Sequence, residues 1–160
     1  MLIPYRVKNP ARSFPYVTVG LIAINVVAYA LTTEYSLGIR EDVVKAYGFA
    51  PGATPFINFF TAIFLHADPL HLVGNMLFLW VFGPPVEDRL RVGVYVALYF
   101  VSGLVGDLMQ AAVSGAVPSI GASGSIMGVL GAYLYLFSWS TVCVFYWIYW
   151  CWYGVWEVAA

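Results

Sequence analysis

Charged side chains are scarce in this sequence, and their scarcity argues against an ordinary soluble domain. Only 9% of the 160 residues are charged and 62% are hydrophobic, whereas about a quarter of the residues in soluble domains are charged. A soluble fold of this length would leave too much apolar surface in water, so the predicted solvent is a lipid bilayer. The net charge of −1 indicates no nucleic-acid partner, and the length predicts one domain.

Cysteine and histidine are also rare, which removes several kinds of site from consideration. The two cysteines, Cys143 and Cys151, lie in an apolar run and form no metal-ligand pattern. The two histidines, His66 and His71, are five residues apart, a spacing that points them in different directions on a helix. We therefore expect neither a metal site nor a cofactor.

Long apolar runs are abundant, and five of them are candidates for membrane-spanning helices. A span needs roughly 20 mostly apolar residues. The runs cover residues 15–33, 66–83, 92–113, 120–137 and 139–158. The first run is too long for a cleavable signal peptide, lacks a small-residue cleavage site and is followed by further runs. The sequence therefore predicts an all-α, multi-pass bundle of about five spans.

The basic residues predict how this bundle is oriented in the membrane. The tail 1–14 carries three basic residues, and the turn after the second run carries two more on the same side. Two basic residues on the opposite side are offset by three acidic ones. Basic residues concentrate on the cytoplasmic side, so we expect 1–14 to be a cytoplasmic tail, 15–160 the membrane domain, and loop 114–119 to face outward.

Two polar residues of the second run, His71 and Asn75, lie four positions apart in HLVGN. On a helix this spacing places both side chains on one face, about one turn apart. Two such donors can converge on one point and stabilise an oxyanion in a dry site. The alternative is helix packing, because His and Asn side chains often form hydrogen bonds between membrane helices.

Ser123 lies in GASG, between Gly121 and Gly124, at the start of the fourth run. The glycines allow a sharp turn and a close helix approach, and a helix N-terminus offers free backbone N–H groups and a positive dipole end. Two structural interpretations remain open. Ser123 is an N-cap, or the glycines Gly124, Gly128 and Gly131 form a small-residue packing seam.

The remaining charged residues fit structural roles. Asp68 is predicted to be a solvated or capping acid before the second helix, and residues 87–91 a solvated cytoplasmic turn. Asp107 and Glu157 lie inside predicted spans. Intramembrane acids mark function in many proteins, but a satisfied or end-of-helix acid is the favoured interpretation of both.

Taken together, these motifs resemble the rhomboid family of intramembrane serine proteases. The resemblance is carried by FLHADPLHLVGNMLFLWVFGPPVED, LYFVSGLVGD and SIGASGSIMGVLGAYL, and covers residues 15 to about 137 in the family's order and spacing. It implies a bundle of six helices, in which a short fourth helix begins mid-membrane with the nucleophile and a water-filled cavity opens outward.

The resemblance also implies roles for individual residues. Ser123 matches the nucleophile, His71 and Asn75 match the oxyanion-hole side chains, and Gly121 matches the glycine that opens the turn before the nucleophile. The Ser123 N–H is a further oxyanion donor. The implied partners are the lipid bilayer and a transmembrane protein substrate, cleaved near the outer end of its membrane segment.

The sequence departs from the family pattern in two places. Rhomboids use a base histidine on a sixth helix that follows the serine, whereas both histidines of this chain precede Ser123 and no sixth apolar run is present. A serine without a base is a weak nucleophile. In addition, Ile57 and Asn58 stand where many members have a Trp-Arg pair, which changes how the first loop is anchored.

The last part of the chain differs in composition from the rest. Five of the six tryptophans and both cysteines fall within residues 138–160. One hypothesis is a lost reading frame or a fragment boundary after about residue 137, so that the domain lacks its last helix. The other is a fifth span with an aromatic interface belt.

Two functions therefore follow from the resemblance. The first is a rhomboid-type serine endopeptidase that cleaves transmembrane segments, and the second is a non-catalytic rhomboid-like protein that binds them. A channel or transporter would carry polar features in mid-span, and few are present. The sequence predicts neither the substrate nor the oligomeric state.

Overall fold

The chain is mostly helical in the computed structural model, which describes residues 2–34, 37–115, 117–148 and 152–159. Within these ranges the elements follow one another as β1 Leu2–Val7, α1 Tyr16–Thr32, α2 Glu41–Tyr47, α3 Asn58–Ala62, α4 Pro69–Arg89, α5 Val92–Ser114, α6 Ser123–Leu136, β2 Thr141–Ile148 and β3 Trp152–Ala159. Helix α4 packs against α1 and α6, and α6 packs against α5.

Each of the first four apolar runs forms a helix. Two of these, α4 with 21 residues and α5 with 23, are long and apolar enough to cross a membrane. Helices α1 and α6 are apolar but shorter, with 17 and 14 residues. At 1.5 Å per residue, α6 is about 21 Å long, less than the roughly 30 Å thickness of the hydrocarbon core. The shortness of the fourth helix is thus as predicted.

Helix α4 extends further than the sequence suggested. The prediction ended the second span at Gly83, because two prolines follow it, but the helix continues through Pro84 and Pro85 to Arg89. A proline removes one backbone donor and is normally unfavourable inside a helix. Here the extension carries Glu87 to the N-terminus of α1.

The distribution of apolar and polar side chains matches a lipid environment. Leu70, Val101 and Val113 are 74%, 61% and 88% exposed, whereas Thr18 and Asn25 are completely buried. In water such exposed apolar surface is costly, and buried polar groups need partners in any solvent. Apolar groups outside and polar groups inside are the arrangement expected of a chain dissolved in lipid.

The predicted fifth span is wrong, because residues of a three-stranded sheet stand there, beside the helices of the predicted bundle. Residues 139–158 contain β2 and most of β3, which pair in antiparallel register from Thr141 opposite Ala159 to Ile148 opposite Trp152. Strand β1 pairs with the other edge of β2, so the sheet order is β1-β2-β3. The run TVCVFYWI of β2 is rich in β-branched and aromatic residues, which favour strands when a pairing partner is available.

Helices α5 and α6 approach closely along a seam of small residues. A Cβ added to Gly106 would lie 2.9 Å from the Gly124 Cα, and one added to Gly128 would overlap the Ser102 side chain. The predicted packing seam is therefore present at Gly124 and Gly128. At Gly131 it is wrong, because no atom lies within 4 Å of the added Cβ.

Candidate active site

The N-terminal end of α4 is defined by a side-chain cap. Asp68 is the N-cap residue, and its Oδ1 accepts the backbone N–H of His71 at 2.8 Å. Pro69 follows at the first helical position, where a missing N–H costs nothing. The prediction that Asp68 is a capping acid is confirmed, and the cap fixes the backbone that carries His71.

The His71 ring is oriented by a backbone donor. Its Nδ1 lies 3.5 Å from the Ala67 N–H, which donates to it. A ring nitrogen that accepts carries no proton, so the neutral imidazole holds its proton on Nε2. That Nε2 lies 2.9 Å from the position that a Cβ would take on Gly121. A ring N–H therefore lies at the turn before α6.

Asn75 is paired with a histidine that the sequence analysis had set aside. Its Nδ2 donates to the Nε2 of His66 at 3.0 Å. His66 is completely buried in the turn before α4, and burial, with the nearby His71 as a smaller cause, lowers its pKa to about 4. The ring is thus neutral and able to accept, and the second N–H of the Asn75 amide stays available.

The sequence missed His66 because it was placed on the helix. Helical spacing separates the two histidines, but His66 precedes Pro69 and lies off the helix, so its ring centroid is 5.1 Å from that of His71. The proline at 69 was the available signal, since prolines favour the first helical position. Among the described residues, no group of three or more acidic, Cys or His side chains could hold a metal.

The turn before α6 is held by backbone bonds at both ends. Gly121 has φ +111° and donates its N–H to the Ala62 carbonyl at 2.9 Å. Upstream, Phe49 and Ser119 exchange backbone hydrogen bonds of 3.1 and 2.8 Å. A side chain at Gly121 would be strained by its φ and would also clash with the His71 ring. The requirement for glycine before Ser123 therefore has a direct structural cause.

Asp107 helps to hold the same turn. From α5 its Oδ1 accepts the Ser119 hydroxyl at 2.6 Å, and the same hydroxyl lies 3.1 Å from the Phe49 carbonyl. Ser119 is buried. Asp107 is thus a satisfied acid, as favoured from the sequence, but it acts on the segment that carries Ser123, which the sequence did not indicate.

Ser123 is the first residue of α6, and its side chain is exposed. The N-cap is Ala122, so the interpretation of Ser123 as an N-cap is wrong. Within the described ranges the Ser123 hydroxyl has no hydrogen-bond partner, whereas the neighbouring Ser125 is completely buried. Of the two serines, only Ser123 can meet a reactant from outside.

The predicted solvated turn at the end of α4 is wrong at Glu87, which is half-buried, whereas Arg89 and Arg91 are exposed. Glu87 accepts the N–H groups of Val17 and Thr18 at 2.9 and 2.8 Å and the Thr18 hydroxyl at 2.7 Å. Asp88 accepts the Ser13 N–H at 3.1 Å. These carboxylates satisfy free donors at and just before the start of α1. They link α1 to α4, through part-buried hydrogen bonds at Glu87 and exposed ones at Asp88.

The first loop is anchored by Asn58, one of the two residues that depart from the family pattern. Its Nδ2 donates to the Ala46 and Gly48 carbonyls at 2.9 and 3.1 Å. Thr61 adds a bond from its hydroxyl to the Tyr47 carbonyl at 2.8 Å. Helices α2 and α3 are therefore joined by amide and hydroxyl bonds.

Two further predictions concern residues of the last part of the chain. Glu157 falls in β3, with only its backbone described, and Cys151 lies outside the described residues.

The arrangement combines an exposed hydroxyl with spare donors near one turn. His71 Nε2–H faces Gly121, Asn75 has a free N–H on the same helix face, and Ser123 opens α6. Fixed donors of this kind stabilise a negative charge that develops on a reacting oxygen. A proton acceptor for Ser123 is not among the described contacts, since both histidines are engaged as stated.

Comparison with known proteins decides the family. A family model for the Rhomboid domain matches residues 53–159. This chain belongs to the rhomboid family. It is 30% identical over 75% of its length to Rhomboid-like protease 3 of Toxoplasma gondii, and 34% identical over 81% to Rhomboid protease GluP of Bacillus subtilis. It is also 27% identical over 78% to Putative rhomboid protease YdcA of the same bacterium.

Family membership establishes the general class of this rhomboid chain. Rhomboids are generally serine proteases of the membrane, and the apolar helices agree with an integral membrane protein. The aligned part covers 46% of the Toxoplasma protein, 25% of GluP and 64% of YdcA. The chain thus spans only part of the length of these relatives.

Proposed function

We propose that this chain acts as a rhomboid-type intramembrane serine endopeptidase on the transmembrane segments of membrane proteins. Ser123 is the nucleophile, and His71 and Asn75 are the oxyanion donors. The observation that carries the proposal is the position of His71 Nε2, which lies against Gly121, two residues before the exposed hydroxyl of Ser123.

In the proposed chemistry the Ser123 hydroxyl adds to a peptide carbonyl and its proton passes to water, because no side chain among the described contacts is placed to accept it. The carbonyl oxygen then becomes an oxyanion, which the His71 Nε2–H, the free N–H of Asn75 and the Ser123 backbone N–H stabilise. The positive end of α6 adds to this stabilisation. His71 is unsuited to be the base, because its Nε2 already carries the proton that faces the turn.

The topology of the proposed enzyme follows the distribution of basic residues. The tail 1–14 lies in the cytoplasm, the helices within the predicted domain 15–160 stand in the membrane, and the turn before α6 lies toward the outer face. This orientation rests on the positive-inside rule and on the three basic residues of the tail. The substrate then meets Ser123 near the outer end of its own membrane segment.

The second candidate is a non-catalytic rhomboid-like protein that binds transmembrane segments. It is favoured by one observation: among the described contacts no side chain accepts the Ser123 proton, since His66 is paired with Asn75 and His71 with the Ala67 N–H. Without a base the serine is only weakly nucleophilic, whereas binding of a transmembrane helix needs no base. The two candidates differ in whether Ser123 forms a covalent bond.

Covalent labelling separates these candidates. The full chain, reconstituted in lipid, is treated with a fluorophosphonate probe, and the modified residue is located by mass spectrometry. We expect labelling at Ser123 that is lost in Ser123→Ala and kept in Ser114→Ala, which removes another exposed serine. His71→Ala should slow labelling by roughly 100-fold, because one oxyanion donor is removed.

The contrary result is equally clear. If the folded chain leaves Ser123 unmodified under conditions that label a rhomboid with a complete dyad, the endopeptidase proposal fails. Photocrosslinking of a transmembrane peptide to both the unmodified chain and Ser123→Ala would then support the binding protein.

A further inference from the structure

A second cavity lies at the opposite end of α4 from Ser123 and is lined by basic residues. It measures about 330 Å³ and is formed by the segment after β1 together with the end of α4. Its basic side chains are Lys8, Arg12 and Arg89, and its floor includes Pro85 and Phe137. This volume is at the lower end of the roughly 300–1,000 Å³ typical of small-molecule sites.

The charge balance of this cavity favours an anion. Asp88 is the acidic side chain among its described lining residues, against the guanidinium groups of Arg12 and Arg89. The Asp88 carboxylate is already engaged, since it accepts the N–H groups of Arg12 and Ser13 at 3.2 and 3.1 Å. The Arg89 guanidinium lies over the Phe137 ring, 5.3 Å from its centroid. Arginine suits the bidentate binding of phosphate oxygens.

A mostly apolar groove, whose lining also includes Arg6 and Ser13, continues from this cavity along β1 and α4. It measures about 310 Å³ and shares Pro10, Ala11 and Pro85 with the basic cavity. Trp80, which is 57% exposed, lies in it. Tryptophan is enriched where a membrane helix meets the headgroup region. A basic cavity joined to an apolar groove matches a ligand that has an anionic head and an apolar tail.

The length of α4 places this cavity at a membrane surface. The helix has 21 residues, or about 30 Å at 1.5 Å per residue, which equals the thickness of the hydrocarbon core. Its N-terminal end carries His71 and its C-terminal end carries Arg89. Along α4 the basic cavity is therefore about 27 Å from His71, at the opposite end of the helix from the candidate active site.

We propose that the basic cavity binds the phosphate of an anionic phospholipid headgroup, with the glycerol and upper acyl chain in the adjoining groove. Basic pockets beside membrane helices recognise lipid headgroups in this way. The proposal goes beyond the proposed function and does not depend on it, because no residue of the candidate active site takes part.

Native mass spectrometry of the full chain in an uncharged detergent tests the proposal. The chain is titrated with phosphatidylglycerol and, separately, with phosphatidylcholine, glycerol 3-phosphate and inorganic phosphate. We expect one phosphatidylglycerol to bind more tightly than any of the other three. Each basic residue near a membrane surface contributes roughly a fivefold change in affinity. Arg12→Gln with Arg89→Gln should therefore weaken phosphatidylglycerol binding about 25-fold.

The matched control removes two positive charges elsewhere. Arg40 and Lys45 are exposed and lie in weak surface ion pairs, and Arg40→Gln with Lys45→Gln should change the affinity less than twofold. The site is overturned if both double variants lose affinity for phosphatidylglycerol equally, or if Arg12→Gln with Arg89→Gln loses none. Equally tight binding of inorganic phosphate overturns the assignment to a lipid. If Arg12→Gln with Arg89→Gln does not fold, the single variant Arg12→Gln replaces it. We expect this variant to bind phosphatidylglycerol about fivefold more weakly, and unchanged binding would contradict the proposal.

Discussion

The two ends of α4 use polar residues in opposite ways. At the C-terminal end, both oxygens of Glu87 and both oxygens of Asp88 accept hydrogen bonds from the region where α1 begins. At the N-terminal end, His71 Nε2–H and one Asn75 N–H have no hydrogen-bond partner within the described part of the chain, and the His71 ring lies against the turn before α6.

This difference separates structural polar groups from functional ones. A polar group in lipid is costly unless it is paired, so a fully paired carboxylate contributes to the fold and offers nothing to a ligand. A group with an unpaired donor costs free energy and adds no hydrogen bond that stabilises the fold. The unpaired donors at the N-terminal end of α4 are therefore the ones available for chemistry.

The largest effect is expected at the paired end. Glu87→Ala removes three accepted hydrogen bonds and leaves the first N–H groups of α1 without partners, which should cost roughly 3–5 kcal/mol. Thermal unfolding in detergent should show a Tm lowered by roughly 10 °C. Glu41→Ala is the control, because Glu41 is exposed and should change stability by less than about 0.5 kcal/mol. Equal stability of the two variants would show that the Glu87 contacts are not structural.

A smaller effect is expected at the turn beside the unpaired end. Gly121→Ala places a Cβ 2.8 Å from the His71 Cε1 at φ +111°, which should cost about 2–3 kcal/mol. Because His71 must move, labelling of Ser123 should also fall by roughly 100-fold. Gly131→Ala has open space around its Cβ and should be neutral or stabilising by up to about 1 kcal/mol. If Ser123 is labelled at the normal rate in Gly121→Ala, the contact between His71 and the turn does not affect the reactivity of Ser123.

The smallest effect, taken per pH unit, is the pH dependence of the folding stability that His66 causes. Burial, followed by the charge of His71, lowers its pKa from 6.5 in the unfolded chain to about 4 in the folded one. Below pH 6.5 the unfolded chain binds a proton that the folded chain does not, so stability falls between pH 6.5 and 4 and is unaffected above. The slope is at most about 1.4 kcal/mol per pH unit.

Comparison with His66→Gln isolates this contribution. Asp68 and His71 face the same ring and are retained in the variant, so the difference between the two stability curves reports His66. A difference that does not change between pH 6.5 and 4 would mean that the ring is solvated.

The sequence predicted the helical part of the fold well because lipid imposes a simple rule. Runs of apolar residues must form helices to satisfy their backbone in a membrane, and four of the five runs do so. The prediction failed for the fifth run because composition does not distinguish an apolar helix from an apolar strand. Strand pairing between β1 and β2 joins the two ends of the chain, which local patterns do not reveal.

The candidate site was predictable in its residues and not in its contacts. Spacing placed His71 and Asn75 on one face, and the glycines marked the turn at Ser123. The pairing of His66 with Asn75, and of Asp107 with Ser119, joins residues from different elements. Neither pairing has a signature in the order of residues along the chain.

By itself, the sequence determined that the chain is built for lipid and carries a serine in a glycine turn, because hydrophobicity and glycine act locally. Only the tertiary structure decided which polar groups are paired and which are free. Glu87 and Asp88 became structural, and the His71 N–H was left facing the turn before Ser123. The physical reason is that a hydrogen bond depends on where two groups meet in space, and that is fixed only when the helices pack.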